Sequence, residues 1–225
     1  MGQVKYDAIV INGDSYSAID RRFPVYGHHL ERELGIPVIN IAFPGSSNDR
    51  ITRSTIEHVS SLQQKFTNPL VIINWSYTSR QEIWYTGKNY RIKETFIDNS
   101  QFITMDWLMT EQEMTKEQKA SLIFRQQQTH KQLTDFYTQL LLVSNFLENH
   151  HIDYLFLCTN IPLPNDCRSY IESLHSYKWC TKNPKFLKLT ISDWGLANDT
   201  ECAPTGHLSE NGHKIFANFL QEIIK

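Results

Sequence analysis

Along the chain, short aliphatic runs alternate with longer stretches in which apolar residues recur every three or four positions. The runs are Asp7–Asn12 (DAIVIN), Pro37–Ala42 (PVINIA), Pro69–Asn74 (PLVIIN) and Asp153–Thr159 (DYLFLCT). Each is rich in Val, Ile or Leu and lacks the polar alternation of a half-solvated strand. That is the pattern of strands covered on both faces in a parallel sheet. Between them, Pro24–Leu34 has helical spacing and stops at Gly35, a C-cap residue. Asp49–Phe66 sets Ile51, Ile56, Val59 and Leu62 on one helical face. The stretch from Thr110 to about Asn149 contains no Gly or Pro and predicts one long helix or two. A last helix is expected after Ser209-Glu210-Asn211, with Ser209 as its cap and Ile215, Phe216, Phe219, Leu220 and Ile223 along it.

Strand and helix in repeated alternation predict an α/β sandwich of three layers, α/β/α, with right-handed crossovers. No internal repeat or low-complexity linker divides the chain, so residues 1–225 are read as a single domain. One stretch breaks the rhythm. Tyr85–Leu108 has aromatics at Tyr85, Tyr90, Phe96, Phe102 and Trp107 without a clear period, and predicts a lid-like insertion over one edge of the sheet at about residues 85–110, either a lid or a partner surface.

Composition narrows the function classes. With 225 residues and 40% hydrophobic content the chain is long enough for one substantial core. A formal charge of −2 gives no electrostatic footprint for nucleic acid or an anionic membrane surface. No apolar run approaches the roughly 18–20 residues that cross a bilayer. The start MGQVKYD runs directly into a strand without a signal peptide's apolar region, so a cytoplasmic location is expected. The four cysteines, Cys158, Cys167, Cys180 and Cys202, form no CxxC pair, and the nine histidines show no HExxH. Free thiols are therefore expected, with neither a metal site nor a cofactor.

In open α/β sheets the chemistry gathers beyond the carboxyl ends of the strands. Polar clusters follow the runs at those places: Gly13-Asp14-Ser15, then Phe43–Arg50 (FPGSSNDR), then Asn74–Glu82 (NWSYTSRQE). A fourth cluster, Ala203–His213 (APTGHLSENGH), precedes the last helix. Ser15 is a candidate nucleophile, with Ser17 as a rival hydroxyl, and either also fits a turn. Gly45 in Pro-Gly-Ser-Ser fits a type II turn. His213 fits a structural place in the first turn of the last helix. Arg80 is charged and beside the presumed site, where it could hold an anionic substrate group.

These clusters resemble the blocks of the SGNH/GDSL hydrolase superfamily. INGDSYS is similar to the first block, NIAFPGSSNDR to the second and GHLSENGH to the last, in that order and over nearly the whole chain. The wording VINIAFPGSSNDRI is similar to compact members in phage and bacterial genomes. The resemblance implies a five-stranded parallel sheet of flavodoxin-like order. It also implies an esterase in which Ser15 is the nucleophile, His207 the general base and the N–H groups of Ser15 and Gly45 part of the oxyanion hole.

Two positions depart from the pattern. The asparagine expected after the third strand is not at its usual offset, where the chain reads Asn74-Trp75-Ser76-Tyr77, leaving Asn74, Ser76 or Asn48 as substitute donors. The acid expected three residues before His207 is replaced by Pro204, leaving Asp199, Glu201 or the more distant Asp193 as the acid, or a backbone carbonyl. The expected substrate is a small-molecule or glycan O-acyl ester, with O-acetyl on carbohydrate as one form. Asn48 and Arg80 are then substrate-side residues. The competing expectation is a binding or structural module that kept the fold and lost the catalytic support.

Overall fold

The computed structural model describes residues 5–20, 22–78, 80–84, 102–105, 129–157, 163–199, 201–203 and 206–224. In it the aliphatic runs become β1 (Ala8–Asn12), β2 (Val38–Asn40), β3 (Pro69–Asn74) and β6 (Asp153–Leu157). A two-residue strand, β7 (Phe186–Leu187), completes a five-stranded sheet of order β2-β1-β3-β6-β7, parallel throughout. Counting only its own strands, the sheet runs 2-1-3-4-5, the flavodoxin-like order. β1 and β3 are buried at every residue, as aliphatic runs without alternation require, whereas β2 at the sheet edge is half-buried along its length. The sequence predicted six residues for β2 and three pair, because an edge strand has a neighbour on one side only.

Side chains on alternate residues divide the core between two helical layers. Val10, Val71, Ile73, Tyr154 and Phe156 pack with residues of α2 (Asn48–Leu62), α3 (Thr129–Asn149), α4 (Arg168–Ser173) and α5 (His175–Lys182). Ile9, Ile11, Leu70, Ile72, Leu155 and Leu157 face the other way. They pack with α1 (Tyr26–Leu34), α6 (Ile191–Asn198) and α7 (Glu210–Ile224). The three-layer α/β/α sandwich expected from the sequence is thus observed. β4 (Gln81–Trp84) and β5 (Phe102–Met105) form a separate antiparallel pair. The expected insertion at 85–110, apart from β5, and the first part of the expected long helix, 110–128, lie outside the described residues. Among the described residues no helix is long and apolar enough to cross a membrane.

Helix ends follow local rules. Gly35 closes α1 in the left-handed conformation, φ 67°, as its position predicts. Ser47 caps α2 by accepting the Arg50 N–H, and Thr190 caps α6 by accepting the Asp193 N–H. Asp193, one of the acids considered for His207, is thereby placed at the start of α6, where its carboxylate accepts the Thr190 hydroxyl at 2.7 Å.

His213, in the first turns of α7, accepts the Tyr26 N–H on Nδ1 at 3.3 Å, which joins α7 to α1. Burial pushes its imidazole down from 6.5 to about 4. The unfolded chain therefore binds this proton near 6.5 and the folded chain only near 4, so the contribution is complete above 6.5 and is lost as pH falls from 6.5 through 4. At 1.36 kcal/mol per pH unit this amounts to about 3 kcal/mol. Urea unfolding between pH 7 and pH 4 should show wild type losing more stability than His213→Gln; parallel curves would refute the assignment.

Candidate active site

The first cluster is built by the abrupt end of β1. Asn12 is fully buried, and its amide donates to Ile51 O at 3.1 Å, Ser54 Oγ at 2.9 Å and Thr55 Oγ1 at 2.8 Å, tying the strand end to α2. Gly13 follows with φ 152°, and a Cβ there would come within 2.8 Å of the Asn74 carbonyl oxygen, so only glycine lets β1 and β3 approach this closely. The next residues form a tight turn in which Ser17 and Ala18 donate their N–H groups to the Asp14 carbonyl, both at 3.0 Å. This turn leaves Ser15 half-buried at the sheet's carboxyl edge and sends the Asp14 side chain inward.

From the far end of the sequence, His207 brings Nε2 to 3.0 Å from Ser15 Oγ. The histidine's own carbonyl accepts the Ala203 N–H at 3.0 Å and the Cys202 thiol at 3.3 Å, which fixes the loop before α7. Its ring lies against Tyr16, centroids 4.3 Å apart and planes within 15°, and the Tyr16 hydroxyl is 3.3 Å from that of Tyr77. Burial pushes the His207 imidazole below its ordinary value; nearby Asp14 opposes this and Arg80 reinforces it. The ring is therefore neutral at physiological pH, the form that accepts a proton.

Phe43-Pro44-Gly45-Ser46 forms a type II turn, closed by Ser46 N–H to Phe43 O at 3.1 Å with Gly45 at φ 77°. Among the described residues, no acceptor takes the N–H of Ser15 or of Gly45. Ser15, His207 and Pro44 share the wall of a cavity of about 330 Å³, completed on its apolar side by Phe23, Val25 and Leu208.

The substitute donors have a different partner. Asn74 donates to Asp14 Oδ1 at 3.1 Å, Ser76 Oγ to Oδ2 at 3.0 Å and Arg80 Nη1 to Oδ2 at 2.9 Å, while the Tyr16 N–H adds 3.2 Å to Oδ1. Four donors around an acceptor-only group is the arrangement of a carboxylate held in its charged form. Burial is the larger influence and holds the Asp14 carboxyl above its ordinary value, against the pull of Arg80, the Tyr16 N–H and Ser76 toward the charged form. The reading of Asn74 and Ser76 as oxyanion donors is thus corrected: in this structure their bonds go to Asp14. Arg80 has the same partner. Its side chain is 12% exposed, paired to Asp14 and placed over the Tyr77 ring. Asn48 is engaged with the backbone of Ser76, donating to its carbonyl at 3.1 Å and accepting its N–H at 2.8 Å. It braces the segment after β3.

Asp199 is corrected as the acid partner of His207. Its carboxylate accepts the Ser209 N–H at 2.7 Å, the Ser209 hydroxyl at 2.9 Å and the Glu201 N–H at 3.1 Å. It organises the entry to α7, where a Cβ on Gly212 would collide with it at 2.0 Å. Glu201 is exposed and contributes its backbone N–H to that same carboxylate. Ser17, the rival hydroxyl, is fully buried and accepts the Tyr26 hydroxyl at 2.9 Å. The buried Asp14 cluster is the part that sequence reasoning missed. The signal was available only as a charged residue, Asp14, two positions past the end of β1.

Comparison with known proteins adds little beyond a family. No curated protein matches the sequence. Among solved structures, the chain aligns with a protein assigned to the lipolytic G-D-S-L family from Desulfitobacterium hafniense DCB-2 at 12% identity and TM-score 0.46, covering 96% of this chain and 99% of that one. It also aligns with the lipase/acylhydrolase from Enterococcus faecalis at 14% identity and TM-score 0.36, covering 96% and 95%. A family model matches residues 14–180, a span that opens on Asp14 and includes the whole cluster around it, and by that match the chain belongs to DUF6071, a family of unknown function.

Proposed function

We propose that the protein is a serine ester hydrolase that transfers an acyl group to Ser15 and then to water. The observation that carries this reading is the 3.0 Å approach of Ser15 Oγ to His207 Nε2 on the wall of the 330 Å³ cavity. A serine hydroxyl is a weak nucleophile until a base takes its proton, and a neutral imidazole at hydrogen-bond distance is that base. Oγ attacks the ester carbonyl carbon as its proton passes to Nε2. The resulting oxyanion is met by the N–H groups of Ser15 and Gly45, which have no competing acceptor among the described residues. The imidazolium returns its proton to the departing alcohol, and the same nitrogen then activates water to release the acid. The cavity is at the small end of the roughly 300–1,000 Å³ range of ligand sites, which favours a small ester such as an O-acetyl group on carbohydrate.

A serine-directed phosphonate should label the protein once, on Ser15, as read by mass spectrometry of the digested adduct. Absence of an adduct together with no hydrolysis of p-nitrophenyl acetate would overturn the reading.

Because burial holds the His207 imidazole below 6.5, the active neutral form persists into mildly acidic solution. The acid limb of kcat/KM for p-nitrophenyl acetate is expected to bend below pH 6.5, not above it. Tyr16 positions the ring by stacking. Tyr16→Ala should lower kcat by up to about 10²-fold, the scale of an ångström-sized misplacement, while Tyr16→Phe keeps most of the rate. Equal losses in the two variants would assign the effect to the hydroxyl instead.

A further inference from the structure

Away from Ser15, three side chains of different donor type converge at the carboxyl edge of the sheet. α3 ends at Asn149, just before β6 starts at Asp153, so its first turn, with His130, lies at the opposite edge, where β6 finishes. There the imidazole of His130 meets the carboxylate of Asp166 and the thiol of Cys167, with the donor atoms all within 4.8 Å of one another. His130 and Asp166 are exposed, and Cys167 is fully buried. The His130 ring also lies 6.2 Å from that of Tyr170 in α4, so the approach involves both elements and not one side chain alone. Cys167 stands at the N-cap of α4 without a side-chain capping bond; its sulfur lies 3.6 Å from the Pro164 carbonyl. A scan of sequence spacings misses this group, because His130 belongs to a helix and the other two to a turn beyond the next strand.

We propose that His130, Asp166 and Cys167 form a three-ligand site for a divalent ion of the zinc class, clipping the first turn of α3 to the turn before α4. The donor set decides the class: a thiolate and an imidazole favour zinc, whereas magnesium and calcium take oxygen ligands alone. Zinc–ligand bonds of about 2.0–2.3 Å in tetrahedral geometry set donors roughly 3.5 Å apart. Rotation of the two exposed side chains, His130 and Asp166, by about 1 Å toward the fixed sulfur closes the difference. Binding replaces the Cys167 S–H by an S–metal bond and releases that proton to solvent. Water fills the fourth position.

Titrating the full chain with Co²⁺ tests it. The expected result is one equivalent bound, with a near-ultraviolet thiolate-to-cobalt charge-transfer band. Zn²⁺ should displace it and Mg²⁺ should not. Cys167→Ser should abolish the band. His130→Ala and Asp166→Asn, at exposed positions where folding is not at risk, should each weaken Co²⁺ binding. Changes beyond the ligand shell already cost about 10–100-fold in affinity, so loss of His130 should cost at least that. The proposal is overturned if wild type shows no charge-transfer band, if the band persists in Cys167→Ser, or if His130→Ala and Asp166→Asn bind as wild type does.

Discussion

Replacing Ser15 by Ala should lower ester hydrolysis by up to about 10⁶-fold, and replacing His207 by Ala should do the same, with the double variant no slower than either single one. The non-additivity is the informative part. A hydroxyl and an imidazole 3.0 Å apart act as one device: without the base the hydroxyl keeps its proton, and without the hydroxyl the base has nothing to activate. In the proposed mechanism the residual activity would come from the N–H groups of Ser15 and Gly45, which neither substitution removes. The measurement is initial-rate hydrolysis of p-nitrophenyl acetate by the three variants, with circular dichroism to confirm folding. If Ser15→Ala retained the wild-type rate, the nucleophile would be elsewhere. If the two single losses multiplied in the double variant, Ser15 and His207 would not act as a pair.

The Ser15–His207 contact was legible only through the resemblance of INGDSYS and GHLSENGH to two blocks of one superfamily, while the turns at the strand ends were legible from their glycines. Gly13 must be glycine for β1 to pass β3, and Gly45 must take a positive φ for its turn. The strands were legible from their pattern, since burial on both faces leaves β1 and β3 aliphatic up to the asparagine that closes each. β7 was not legible: two residues have no period, and their pairing depends on β6 being already in place. The direction of a polar side chain at a strand end was not legible either. Asn74, Ser76 and Arg80 carry donors suited to an oxyanion or a substrate, and equally suited to a buried carboxylate. The choice is made by Asp14, 60 to 66 residues earlier, which folding delivers to them across the β1–β3 pair. Asp199 was misplaced for the same reason. Its nearness in sequence to His207 says nothing of the Ser209 N–H and hydroxyl that claim its oxygens.

That buried carboxylate makes the largest stability prediction. Asp14 is 1% exposed and Arg80 12%, so the pair is shielded from water on both sides. Removing Arg80 leaves Asp14 buried among neutral donors only, and removing Asp14 takes from Arg80 a counter-charge in a place largely closed to solvent. Asp14→Ala should therefore cost about 3–5 kcal/mol, seen as a lower urea midpoint at unchanged slope. It also leaves the donors of Asn74 and Ser76 without their acceptor, which adds to the loss. By contrast, the Arg22–Asp20 pair has its arginine 78% exposed, and Arg22→Ala should leave the urea midpoint essentially unchanged. Arg80→Met distinguishes charge from packing. Alone it should destabilise by leaving Asp14 buried and unpaired; added to Asp14→Asn it should cost clearly less than the sum, because neither charge then remains to be stranded. Strict additivity would mean that the two groups do not stabilise each other. Asp14 would then be held by the neutral donors of Asn74, Ser76 and the Tyr16 N–H alone.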